Sequence, residues 1–400
     1  MKLTKKQAQK FLLNRHGLAG APIFKGKDGC LAFFRRVCCV QYDPVDVCGR
    51  NADIVLHSRV EGYDKALLDT LLYQDRALID CFDKNLAIAP IEDFTALRHE
   101  RLSSGEAGAY EHFVTDAVRG MVPQIRQLIA ERGYISSKEV DTGEKITWMW
   151  GHQTSLPRAV LEYMYFRGEL IVHHKKGTNK RYGLTRDLVP AKILEAPLPF
   201  NSEEERLAWH VKRRISGVGM LWNKAGDAYL GLRLKAAQRA VAFAKLQKNR
   251  EIFEVAVEGL KDPLYILEGE REALETVLSK TQKDVHNGDR TEFIAPLDSL
   301  MWDRKLISTL FDFEYKWEIY TPKVKRKFGA YTLPILHQGE FVGRVDAARR
   351  GKQLVINNIW MEDGFQLSGE IKTAVEACLE RFAVFNGCEA VDYYVPQKVL

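Results

Sequence analysis

The sequence predicts an α+β protein in which a unit of helices closed by a hairpin recurs, followed by a small, strongly curved β-rich segment and a final helix. Three observations predict it. Apolar residues repeat at helical spacing through most of the first 250 positions. Short runs with turn residues between them close the helical stretches, and from Phe293 onward the pattern changes to alternation. Four hundred residues exceed one small domain and suggest two to four units. A composition 46% hydrophobic and 28% charged is globular and excludes disorder.

The first segment, 1–105, reads helix, helix, helix, hairpin. Thr4 caps a helix carrying Ala8, Phe11 and Leu12 on one side. Leu31, Phe34, Val37 and Cys38 repeat at helical spacing, and Val47, Cys48, Ala52, Val55 and Leu56 mark another amphipathic helix after Asp43-Pro44. Arg50 and Arg59 lie off that stripe. Ala77 to Pro90 reads as two strands turning at Asp83-Lys84-Asn85.

The second segment, 106–190, repeats the order more clearly. A long helix is expected from about His112 to Arg132, stopped by Gly133. Ser136 and Glu139 form a capping box opening a short second helix. Trp148-Met149-Trp150 precedes a third helix from about Ser155 to Phe166, closed by Gly168. A hairpin follows, turning at Lys176-Gly177-Thr178-Asn179. Three helices and a basic hairpin are the winged-helix order, whose third helix and wing usually meet nucleic acid.

Pro190 to Pro199 reads as a linker. The third segment, 200–290, is helical from Glu203 to about Leu246, with less distinct wing strands from Ile252 to Ile266. Within it, Ser216-Gly217-Val218-Gly219 resembles the G-x-G of a DNA-binding hairpin but is read as a turn. The fourth, 291–400, reads as a small curved sheet or barrel-like domain, with Tyr315–Tyr320 and Thr332–Leu336 among its strands. In its last helix Ile371, Val375, Cys378, Leu379, Phe382 and Phe385 form a core stripe.

Several classes are excluded or disfavoured. No run approaches the roughly 18 apolar residues of a membrane helix. Met1-Lys2-Leu3-Thr4-Lys5-Lys6 leads into an amphipathic helix, so secretion is not expected and a cytoplasmic protein is. The seven cysteines include no C-x-x-C pair and no zinc spacing, so they read as reduced thiols. His152 and the His173-His174 pair lack companions at metal spacing. No phosphate loop, dinucleotide fingerprint or hydrolase elbow appears, and neither cofactor nor metal is expected.

Net charge is only +6, so its distribution matters more than its sum. Cations gather with aromatics twice. One group is the wing, with Lys175, Lys176, Lys180, Arg181 and Tyr182. The other is Tyr320 to Phe328, with Lys323, Lys325, Arg326 and Lys327. Either run alone reads as a solvated face; two in separate domains, one on a wing, point to nucleic acid.

The remaining feature is Gln41-Tyr42-Asp43-Pro44. In an extended segment, period two aims Gln41 and Asp43 at one face. An amide beside a carboxylate can hold and deprotonate a water or stabilise a developing cation. Asp43 before Pro44 is equally a good helix N-cap, the commoner use of such a residue.

The set Gln41-Tyr42-Asp43, Arg50, Arg59, Trp148-x-Trp150, Pro296-Leu297-Asp298 and Trp302-Asp303-Arg304 resembles the YcaQ-type crosslink-repair DNA glycosylases. So does the tail: Glu318 to Pro322, Lys325-Arg326, Tyr331-x-Leu333-Pro334 and Gly343-Arg344-Val345-Asp346. The resemblance implies tandem winged-helix units and a β-barrel-like domain forming a DNA-binding surface. It makes Gln41 and Asp43 catalytic, and places Arg50, Arg59, Lys84, Arg304 and Arg344 with the basic runs on DNA. Asp43 puts the chain in the Gln-x-Asp group. Where many relatives carry Trp-x-His in the first wing, this chain has Phe82-Asp83-Lys84.

The implied reaction is hydrolysis of the N-glycosidic bond of N7-alkylguanine in duplex DNA, unhooking crosslinks and excising monoadducts. No lysine stands as a Schiff-base former, so strand cleavage is not expected. A monomer acting on DNA, without membrane contact, is the expected form. The competing reading is a winged-helix transcriptional regulator, which would need no role for Gln41 or Asp43.

Overall fold

The computed structural model describes residues 1–103, 113–140, 142–232, 234–279 and 290–393. The chain forms two compact units, Met1–Leu68 with Phe200–Leu400, and Asp69–Pro199. This division is coarser than the four segments read from sequence.

In the Asp69–Pro199 unit, Leu78–Asp83 pairs antiparallel with Asn85–Pro90, with Asn85 at φ +55° in the turn. The long helix runs Asp116–Arg132. Its first turn is capped by Thr115, whose hydroxyl accepts from Val118, and Gly133 ends it at φ +81°. The expected start at His112 lies outside the described residues. The Ser136/Glu139 capping box is present, but it opens a three-residue 3-10 turn rather than a helix. Leu156–Phe166 follows, with a proline in its first turn. The hairpin Leu170–Lys176 and Asn179–Leu184 closes the series. Val118, Ile125 and Ile129 pack with Val160, Met164, Leu170 and Leu184 in its core.

The other unit contains helices Lys5–Arg15, Gly26–Val37, Asn51–His57, Glu203–Val218 and Ala236–Lys248. Ile252–Val257 pairs antiparallel with Leu264–Leu267, and its other edge takes Lys2–Leu3 in parallel. That N-terminal strand is too short to be read locally. Ser216-Gly217-Val218 is the last turn of a helix, ended by Gly219 at φ +97°. A Cβ on Gly217 would stand 2.3 Å from the Trp302 ring, so this glycine serves close packing and not a DNA hairpin.

The β-rich segment is a curled, open five-stranded sheet in the order Thr291–Phe293, Thr332–His337, Glu340–Arg350, Gln353–Met361, Ala390–Tyr393. The first four strands are antiparallel and the last is parallel to its neighbour. Register shifts at Ile335/Leu336 and Asp346/Ala347 mark bulges, which bend strands and curl the sheet. Tyr315–Tyr320, expected as a strand, has no ladder partner and belongs to a long loop. Helix Gly369–Phe385 packs on the sheet, with Phe382 edge-on to Phe293 at 5.4 Å. Among the described residues no helix is long and apolar enough to cross a membrane.

Candidate active site and nucleic-acid interface

Gln41 ends a short buried extended segment, and its carbonyl accepts from Asn51 Nδ2 at 2.8 Å. The Asn51 oxygen in turn accepts from the Leu297 N–H at 2.9 Å, so one buried amide fixes both the catalytic candidate and the Pro296-Leu297-Asp298 corner. The next helix starts at Asn51, not after Pro44. Asp43 is therefore not its N-cap. Its Oδ1 accepts from Val45 N–H at 2.8 Å, an Asx turn around Pro44.

The loop that follows is pinned along its length. Asp46 Oδ1 accepts from Gly49 N–H at 2.9 Å, and the Arg349 guanidinium lies 3.3 Å from the same carboxylate. The Arg349 main-chain N–H donates to the Val47 carbonyl at 2.8 Å, tying the loop to the curled sheet. Gly49 sits at φ +115°, and a Cβ there would stand 3.0 Å from Ile54 and 3.1 Å from Phe385. Buried Tyr331 donates to the Gly49 carbonyl at 3.4 Å.

Asp43 is half-buried, and this burial pushes its carboxyl above the ordinary range, with the Val45 N–H pulling the other way. Burial also raises the Tyr331 hydroxyl, reinforced by nearby anions that include Asp43. Tyr331 is thus a neutral wall of this region. The arrangement offers a partly desolvated carboxylate, a good proton acceptor and a strong partner for positive charge, on a segment with little freedom.

The predicted DNA cations divide sharply. Arg59 is fully buried. It donates to the His16 and Val55 carbonyls, forms a 2.7 Å ion pair with Asp298 and lies 4.7 Å over Phe33. Arg304 is half-buried, donates to the Pro296 carbonyl and covers Tyr315. Arg344 is buried between Phe313 and Phe328 and bonded to Glu362. Lys84 is buried at the first hairpin's turn. Arg59, Arg344 and Lys84 have almost no exposed surface, which runs against the expectation of phosphate contact for these three, while Arg304 keeps part of its surface. Arg50, partly exposed, pairs with Asp53.

In the other unit, the Lys175 ammonium is buried against the Asp80 carboxylate, and Tyr182 is buried beside the Tyr165 ring at 5.7 Å. Lys180 lies 5.5 Å over the Tyr165 ring, and burial lowers its pKa. Arg181 faces Glu139 at 3.7 Å, and Lys176 is the exposed cation of this wing set.

The second basic run keeps its exposure. Lys323, Lys325 and Lys327 are exposed, while Arg326 turns back to donate to the Thr321 and Ile319 carbonyls. Glu318, in sequence only one residue of a motif, organises this loop: its carboxylate accepts from the N–H groups of Lys327, Phe328 and Gly329. Burial alone would raise its pKa, but those bonds outweigh it and hold the carboxyl below its usual value. Sequence reasoning missed Asn51 as the brace of the Gln41 segment, and had Tyr331 only as part of a motif, not as a residue against this loop. A polar Asn inside an apolar helical stripe was the available signal for the first. Among the described residues no three of His, Cys, Asp and Glu are grouped to hold a metal ion.

A family model described as DNA glycosylase AlkZ-like matches residues 34–385. Among solved structures, the DNA glycosylase AlkZ of Streptomyces sahachiroi superposes with a TM-score of 0.62 at 16% identity, covering 99% of this chain and 100% of that one. At that identity the likeness concerns the fold.

Proposed function

We propose a specific reaction for this chain, which belongs to the AlkZ-like DNA glycosylase family: metal-independent hydrolysis of the N-glycosidic bond of N7-alkylguanine in duplex DNA. The observation that carries it is the pinned, partly desolvated Asp43 two residues from Gln41. Alkylation at N7 makes the base cationic and a good leaving group. As the C1′–N9 bond breaks, its electron pair passes to N9 and neutralises the purine, while positive character builds on the sugar. Ionised Asp43 stabilises that charge and takes a proton from the water that bonds to C1′; Gln41 orients the water. The products are a free alkylguanine and an abasic sugar. The groups put forward for the attack are a carboxylate and an amide and not an amine, so the strand is expected to stay intact.

A base tied to the opposite strand cannot leave the stack fully, as glycosylases ordinarily require. Attack on a crosslink therefore calls for a shallow, open site, which suits a carboxylate on a surface loop. The helix, turn, helix and hairpin order in 116–184 supports reading that stretch as winged-helix, and we extend it to the segments at 1–105 and 200–290. A cytoplasmic monomer completes the proposal. The test is a duplex carrying one N7-methylguanine, incubated with protein and EDTA. Abasic product above the spontaneous rate, with strand breakage only after alkali, is expected. Loss of activity with EDTA, or sequence-specific binding without base release, would overturn the reading in favour of a metalloenzyme or a regulator.

A further inference from the structure

Two of the most exposed large apolar side chains lie together on the loop between Glu318 and Gly329: Tyr320, 83% exposed, and Val324, 92% exposed. Single exposed apolar residues need no explanation. These differ because the loop holding them is braced. Thr321 N–H donates to the Glu318 carbonyl at 2.8 Å, and Lys325 N–H to Pro322 at 2.8 Å, closing a 3-10 turn at Lys323–Lys325. Arg326 Nε donates to Thr321 at 2.8 Å, and the Glu318 carboxylate gathers the three N–H groups on the far side. The Tyr320 ring stands edge-on to Trp317 at 5.7 Å. The chain thus invests a buried carboxylate and a guanidinium in holding an apolar tip away from the protein.

The tip is flanked by cations. Lys323 and Lys325 immediately adjoin Val324, and neither forms an ion pair among the described residues. Lys327 follows, its ammonium 5.0 Å from the Phe328 ring. A rigid apolar point between exposed ammonium groups is what minor-groove proteins insert between base steps while lysines hold the flanking phosphates. We infer that the Tyr320–Lys327 loop is a wedge for the minor groove of duplex DNA, with Val324 entering a base step and Tyr320 against the adjoining sugars. This rests on the reading that the substrate is a duplex. It adds a deformation step: local unstacking that brings a sugar within reach of attack when the base itself cannot swing out.

The test uses undamaged duplex containing a fluorescent base analogue quenched by stacking, so its result does not depend on base release. At saturating wild-type protein, fluorescence should rise. Val324→Ala should lose the rise while its affinity keeps the wild-type salt dependence, and Tyr320→Ala should reduce it. Both side chains are exposed, so unchanged melting temperatures should accompany these losses. No rise with wild-type protein, or an equal rise with Val324→Ala, would overturn the wedge. A rise from a protein that releases no alkylated base would leave the wedge standing and remove the proposed reaction instead.

Discussion

Replacing Asp43 by Asn keeps an oxygen to accept the Val45 N–H and removes only the charge. The variant should melt near the wild-type temperature. Base release should fall by about 10²–10⁴-fold, the usual worth of a general base. Because the carboxyl is raised by burial, wild-type base release should climb with pH through a value above that of an ordinary aspartate. The sign follows from the ionised form being the active one, and Asp43→Asn should flatten that limb. A pH profile of single-turnover rates measures both. Arg59 behaves differently. Truncation to Ala would strand the buried Asp298 carboxylate, so a loss of about 3–5 kcal/mol in denaturant unfolding is expected, as for other broken buried pairs. Were Arg59 bound to a phosphate, stability would stay and DNA affinity alone would fall.

At the scale of elements, the Glu318–Gly329 loop is a platform whose exposed lysines and internal arginine should separate by mutation. Lys323→Ala, Lys325→Ala and Lys327→Ala should weaken binding to every DNA sequence. Each should lower the slope of log affinity against log salt by about one for every phosphate it leaves without its cation. Turnover at saturating protein should change far less. Titrations by anisotropy across several salt concentrations measure this, and an unchanged slope would return the run to an ordinary solvated face. Local elements were legible in sequence because their signals are local: hairpin turns at Lys84 and Gly177, the cap at Thr4 and the capping box at Ser136. The charge of Arg59 was legible too, but its partner lies 239 positions away, and no local pattern distinguishes a buried pair from a DNA contact. Tyr315–Tyr320 alternates like a strand. Its segment instead joins a loop that satisfies its backbone through Glu318 and Arg326. Asp43-Pro44 had the chemistry of a helix start, yet the helix begins where Asn51 finds two tertiary bonds.

For the whole molecule, the family match over 34–385 sets the reaction class, and the proposed reaction assigns its chemistry to the pinned loop. The Arg59–Asp298 pair and the Asn51 bridge join the helices of the first 68 residues to the corner that follows the first strand of the curled sheet. The placement of the Gln41–Asp43 segment thus depends on residues more than two hundred positions apart, and if Asp43 acts as proposed, damage to that corner should lower activity by misplacing it. The central claim is that an ionised carboxylate on this braced loop breaks the glycosidic bond of a base still tied to both strands. A duplex joined by one N7-linked nitrogen-mustard crosslink, incubated with excess protein and EDTA and resolved on a denaturing gel, tests it most directly. Wild-type protein should convert the crosslink to single strands, one bearing an abasic site, and Asp43→Asn should leave it joined. A crosslink that persists with the wild type, or is unhooked equally well by Asp43→Asn, would contradict the claim.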